Sequence, residues 1–173
     1  MVSIFQVFSF LLSLIFAAPI TNFNQYSPVF SLIAFHNGST FTYNLVYFDG
    51  IDLKLRSDNA LFLGRINSGE DWVLNIPQAT QPPPSSVNVL VEDDGKLSST
   101  YNTSEEATSG FAIANSLLTF ENSTEFIACS NESYLGDYDI YIADSICPNN
   151  SSGFDIVLMV QLDSTVNFNL ESK

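Results

Sequence analysis

"FTYNLVYFDGIDLKL", residues 41–55, reads as a strand, a turn and a second strand. Aromatic and β-branched residues alternate partially with polar ones at period two, the pattern of a strand with one buried face. Asp49-Gly50 interrupts the pattern. Asp-Gly supplies the φ > 0 geometry that a tight hairpin needs. The stretch therefore predicts a β-hairpin.

The same grammar recurs outward from there. "VEDDGKL" (91–97) places Asp94-Gly95 between two apolar runs, and "RSDN" (56–59) and "IANS" (113–116) mark further turns. "YDIYIA" (138–143) repeats the aromatic alternation, and short runs such as "WVLNI", "LLTF", "EFIA" and "VNFNL" fit strands. "FDIVLMVQL" (154–162) is the most apolar run, and Ile156 to Val160 predict a strand buried on both faces. No segment keeps a helical period; "SEEA" (104–107) offers one turn at most. Three consecutive prolines in "IPQATQPPPSS" (76–86) cannot donate backbone hydrogen bonds, which predicts a surface loop. Three stretches, 53–64, 89–101 and 111–129, each read as strand, polar turn, strand. The expectation is an all-β single compact domain, with a trefoil-like barrel preferred and a β-sandwich as the alternative.

The chain opens with "MVSIFQVFSFLLSLIFAAPI", whose apolar stretch from Leu11 to Ala18 ends in small residues. That is the shape of a secretory signal peptide over residues 1–18, cut after Ala17 or Ala18. A spanning helix needs roughly 20 apolar residues, and Gln6, Ser9 and Ser13 interrupt this one. No later run is long enough to span, and "VNFNLESK" is not a lipid-anchor signal, so no membrane anchor is expected. Residues 19–173 form the expected secreted domain.

Charge narrows the partners. Five basic residues stand against 19 acidic ones, a net charge of −14. Such a chain repels phosphate backbones and anionic lipid, which sets nucleic acid aside. N-x-S/T occurs at Asn37, Asn102, Asn122, Asn131, Asn149 and Asn150, about twice what chance placement gives. Behind a leader, that is the pattern of a glycoprotein. The last two sequons overlap, so one glycan is expected there. Cys129 and Cys147 are the only cysteines, with 17 residues between them. An even count in an exported chain predicts a disulfide; a buried free pair is the alternative. Two Cys and one His are too few for a structural zinc site.

His36 is the single histidine. A serine hydrolase needs a base, an orienting acid and an activated serine, and no G-x-S-x-G is present. A half-buried histidine anchoring a strand end fits better. Asp93-Asp94, Glu105-Glu106 and the acids of "GDYDIYIAD" (136–144) are candidates for a glycosidase pair or a calcium site. "DDG" is better read as turn chemistry. Period two puts Asp137 and Asp139 on one strand face, read as the solvated one. Trp72 and the many Tyr and Phe are candidates for a sugar platform, since aromatic faces stack on carbohydrate, but most are expected in the core. No catalytic residue, metal site or cofactor is expected from these patterns.

Two stretches carry a resemblance. "FSLIAFHNGSTFTYNL" (30–45), with Ala34-Phe35-His36-Asn37-Gly38-Ser39, resembles the start of the mature domain in PhiA-like fungal cell wall proteins. "SLLTFENSTEFIACSNESYLGDYDIYIADSICPNN" (116–150) is similar to that group and to the C-terminal domain of Pir-type yeast wall mannoproteins. The resemblance implies a secreted, glycosylated mannoprotein of the fungal cell wall, without catalysis, whose partner is wall polysaccharide (glucan or mannan). A secreted carbohydrate-binding or adhesin-type module is the alternative. The glutamine-rich repeat of the Pir proteins is absent here, and their cysteine set is reduced to one pair. His36 falls in the motif and receives no catalytic role from it.

Overall fold

The computed structural model describes residues 25–36, 43–77, 86–100, 107–131 and 136–162. Among them run thirteen strands and two single 3-10 turns, Ser68–Glu70 and Pro148–Asn150. The chain is all-β. Its strands are β1 (Phe30–Phe35), β2 (Asn44–Phe48), β3 (Leu53–Leu55), β4 (Ala60–Leu61), β5 (Arg65–Asn67), β6 (Val73–Pro77), β7 (Ser86–Val91), β8 (Leu97–Thr100), β9 (Phe111–Ala114), β10 (Leu117–Phe120), β11 (Glu125–Ser130), β12 (Tyr138–Ile142) and β13 (Gly153–Leu162).

Local turn chemistry sets the hairpins. Between β2 and β3 the Asp49 carboxylate accepts from the N–H groups of Ile51 (2.9 Å) and Asp52 (2.7 Å), and Gly50 takes φ 101°. Val46 then pairs with Leu55 and Phe48 with Leu53. Between β7 and β8, Gly95 takes φ 89°, and its N–H reaches the Glu92 carbonyl at 2.8 Å. Asn115 and Ser116, at φ 52° and 64°, form the two-residue turn that pairs Ala114 with Leu117.

The 53–64 unit behaves differently. β3 and β4 both pair with Tyr47 and Phe48, so they lie on opposite edges of β2 rather than on each other. Arg56, at φ 58°, turns the chain out of β3 before a hairpin can close.

Six antiparallel strands close a barrel in the order β1-β2-β3-β12-β11-β13 and back to β1. β5 to β8 form a separate four-stranded meander, and the β9–β10 hairpin joins β13 where Leu117 faces Met159. The barrel stands, but the three strand–turn–strand units do not occupy equivalent places in it. The first lends β3 to the barrel and sets β4 on the edge of β2, the second belongs to the meander, and the third hangs its β9–β10 hairpin on β13 before running into the barrel strand β11. The meander extends into the proline-rich stretch from both sides, with Pro77 opposite Ser86. Ile76, expected in the loop, is a buried β6 residue (7% exposed). Residues 78–85 lie outside the described residues.

β13 closes the barrel by pairing with β1 along one edge and with β11 and β10 along the other. Ile156 and Leu158 point inward and are buried, whereas Val157 and Met159 on the outer face are only partly covered. The expectation of burial on both faces is corrected: no layer among the described elements fully covers the outer face. One apolar cluster takes Phe30, Leu32, Phe126 and Ile140 from the barrel and Leu74, Val87, Val89 and Leu97 from the meander. Each such side chain contributes roughly 1.5–3 kcal/mol on burial, so the two sheets share one core.

Candidate functional site

Cys129 on β11 and Cys147 in the loop before β13 form a disulfide, with their Cα atoms 5.4 Å apart. Both are buried, and they pack with Tyr141 and Ile127 outside the barrel wall. Gly153 faces Cys129 across the β11–β13 ladder. A Cβ there would come within 2.7 Å of the Cys147 sulfur and 2.5 Å of Ile127 Cγ2, so the bridge needs glycine beneath it.

The sequon asparagines differ in their surroundings. Asn122 is exposed at φ 66° in the turn between β10 and β11. Asn149 is exposed at φ 56° in the 3-10 turn after Cys147. Asn150 follows in the same turn. Asn131 is half-buried at the end of β11, and its amide donates to Asp139 Oδ2 at 2.9 Å. Asn37, Asn102 and residues 1–18, expected to be a leader, lie outside the described residues.

His36 follows the last residue of β1. Its Nδ1 donates to the main-chain carbonyl of Asp155 on β13, and its ring meets Phe154 edge-on with centroids 6.5 Å apart. The imidazole thus ties the end of β1 to its ladder partner, the anchoring role expected for it. Beside it, on the outer barrel face, Phe35, His36, Glu125, Ile127, Asp144 and Asp155 border a shallow depression of about 470 Å³.

Asp139 is where the sequence reading fails. It keeps only 13% side-chain exposure, because β3 pairs with β12 and sets Lys54 directly opposite it. The Lys54 ammonium lies 2.7 Å from Asp49 and 4.0 Å from Asp139, with 6% of its side chain exposed. Lys96, from the β7–β8 hairpin, reaches Asp52 at 3.2 Å and Glu92 at 3.9 Å. Two lysines and four carboxylates therefore bridge barrel and meander at one seam.

Burial pushes the Asp139 carboxyl up; the Asn131 bond and the Lys54 charge pull it down without cancelling, and its pKa stays raised. For Asp49 burial acts the same way, but the Asp52 N–H, the Lys54 ammonium and the Ile51 N–H outweigh it and the pKa falls. Burial alone would lower Lys54 and Lys96; their carboxylate partners reverse this and raise both. Tyr141, beside the disulfide, is pushed up to about 12 by burial and then by the charges of Asp94, Asp139, Asp52 and Glu92. The sequence signal for this cluster was present only as "DGIDLK" and "EDDGK", two Asp-Gly turns each followed by a lysine.

The chain matches no protein-family model, no curated protein and no solved structure.

Proposed function

We propose that this chain is a secreted, N-glycosylated wall or surface protein with a structural role, as the resemblance to PhiA-like and Pir-type wall proteins implies. The observation that carries the reading is the join of a stapled barrel with glycan acceptors on its turns. Cys129–Cys147 is closed and buried, while Asn122 and Asn149 stand on exposed turns with left-handed backbone. A glycan there projects into solvent without disturbing the ladder. A disulfide fits an oxidising compartment.

The test is fractionation of expressing cells into medium, detergent-extracted wall and glucanase-released wall. The chain is expected in the medium or wall fractions, beginning at Ala18 or Pro19, and losing mass on glycosidase digestion. A cytosolic, unmodified chain beginning at Met1 would overturn the reading.

A second reading, a carbohydrate-binding module, is favoured by one observation. The depression beside Phe35 combines half-covered apolar side chains with the carboxylates of Glu125, Asp144 and Asp155. Retention of the purified chain on an insoluble wall glycan would support it.

A further inference from the structure

Beside the depression at Phe35 lies a second one of about 420 Å³, bordered by Glu92, Asp93, Asp94, Ile142, Ser145 and Ile146. The two share Ala143 and Asp144 at the turn after β12. Together they make one bent groove that runs from the outer wall of the barrel to the β7–β8 turn of the meander.

Its lining is unusual for this molecule. Glu125, Asp155, Asp144, Glu92, Asp93 and Asp94 are all exposed along it. Among the described residues, no lysine or arginine lines either half. Of these six acids, Glu92 lies 3.9 Å from Lys96, at the seam where Asp49, Asp52 and Asp139 are grouped around Lys54 and Lys96. The groove is not merely charged. Phe35, Ile127 and Val157 give it a half-covered apolar floor, and Ile146 stands 80% exposed at its far end. Tyr43, 65% exposed, extends the aromatic edge against Phe35 at 5.4 Å. Among the described residues, no group of three or more His, Cys, Asp or Glu is placed to hold a metal ion.

We propose that this groove binds a polycationic chain of amino sugars, an inference that rests on the carbohydrate-binding reading of the depression. Carboxylates in a row call for a row of ammonium groups, because one exposed ion pair is worth less than about fivefold in affinity. The apolar floor takes the C–H faces of sugar rings, and the aromatic edge takes ring face or ammonium. A basic peptide is the less suited occupant. β1, β13, β11 and β12 are each paired on both edges, so an extended peptide finds no open strand edge to add to.

The experiment is titration of the purified, glycosylated chain with three probes: a β-linked glucosamine hexamer, its fully N-acetylated counterpart, and hexalysine. The glucosamine hexamer is expected to bind at least about tenfold more tightly than either of the others, with affinity falling as salt rises. The triple change Glu125→Gln, Asp144→Asn, Asp155→Asn is expected to weaken it about tenfold or more. Asp58→Asn, Asp71→Asn, Glu121→Gln removes the same charge from exposed positions outside the groove and is expected to change it less than about twofold. All six positions are exposed, and thermal unfolding checks that both variants fold. Equal binding of the acetylated hexamer would overturn the cationic inference and leave the carbohydrate-binding reading standing. Equal binding of hexalysine would show a general polyanion effect and overturn both. No binding of any probe, or equal losses in the two triple variants, would also overturn the proposal.

Discussion

Lys54 and Asp139 stand directly opposite each other on antiparallel β3 and β12, and ammonium and carboxylate meet at 4.0 Å inside a nearly closed seam. The closer partner of Lys54 is Asp49, at 2.7 Å. One buried cation thus serves two carboxylates, and removing it should cost more than removing either of them. Lys54→Met is expected to destabilise the fold by roughly 3–5 kcal/mol, the range for breaking a buried pair from one side. Adding Asp139→Asn to that variant should recover part of the loss. Denaturant unfolding checks both; a neutral Lys54→Met would show that the pair is dispensable.

The two carboxylates around Lys54 respond to acid in opposite senses. Asp139 has a raised folded pKa, so its ionised form is the costly one, and its cost is relieved as pH falls through that value. Asp49 has a lowered folded pKa. Its contribution is present above the unfolded value of 3.8 and is lost as pH falls through the folded one. Denaturant midpoints of the native chain and of Asp139→Asn, compared from about pH 7 down to pH 3, isolate the first effect. The native chain should gain on the variant as acid is added, before both decline together. A parallel course throughout would contradict the assignment.

Tyr141 should ionise well above the ordinary phenol value of 10.0. Six other tyrosines are present in the chain, and Tyr141 is pushed up to about 12 by burial and then by nearby carboxylates. A difference absorbance titration against Tyr141→Phe should place its transition near that value. The raised pKa means that its contribution to stability is intact below 10.0 and is lost as pH rises above that toward about 12. A transition near 10 would show that the phenol is solvated.

Cys129→Ser should do more damage than His36→Gln. The bridge closes a 17-residue loop, worth roughly 3 kcal/mol in the chain-entropy account. His36 supplies a hydrogen bond to the Asp155 carbonyl and an edge contact with Phe154, on the order of 0.5–1.5 kcal/mol for the bond. Thermal unfolding of the two variants ranks them, and thiol titration of the denatured, unreduced chain should find no free cysteine. Two free thiols would remove the staple from the account.

Gly153→Ala tests the same bridge from below. The added methyl group meets the Cys147 sulfur and Ile127, so the loop carrying Cys147 must shift. Overpacking of this kind costs roughly 1–3 kcal/mol. An unchanged melting temperature would show that the loop gives way freely.

What the sequence determined by itself is local. Asp49-Gly50, Asp94-Gly95 and Asn115-Ser116 specify their turns because the φ > 0 backbone and the Asp49 Asx bonds involve residues no more than three apart. Alternation over 41–48 and 138–143 set the class, and the even cysteine count pointed to the bridge. The position of His36 was legible too, because a strand end needs a partner and imidazole can supply one. Tertiary structure decided the rest. That β4 takes the edge of β2 opposite β3 instead of pairing with β3, that β13 closes the barrel between β1 and β11, and that Asp139 faces Lys54 all depend on pairings that no local turn dictates. Period two tells which residues share a face, and it is silent on what will cover that face. Asp139 alternates as a solvated residue would, yet the arrival of β3 at the edge of β12 removes its water and supplies a cation instead.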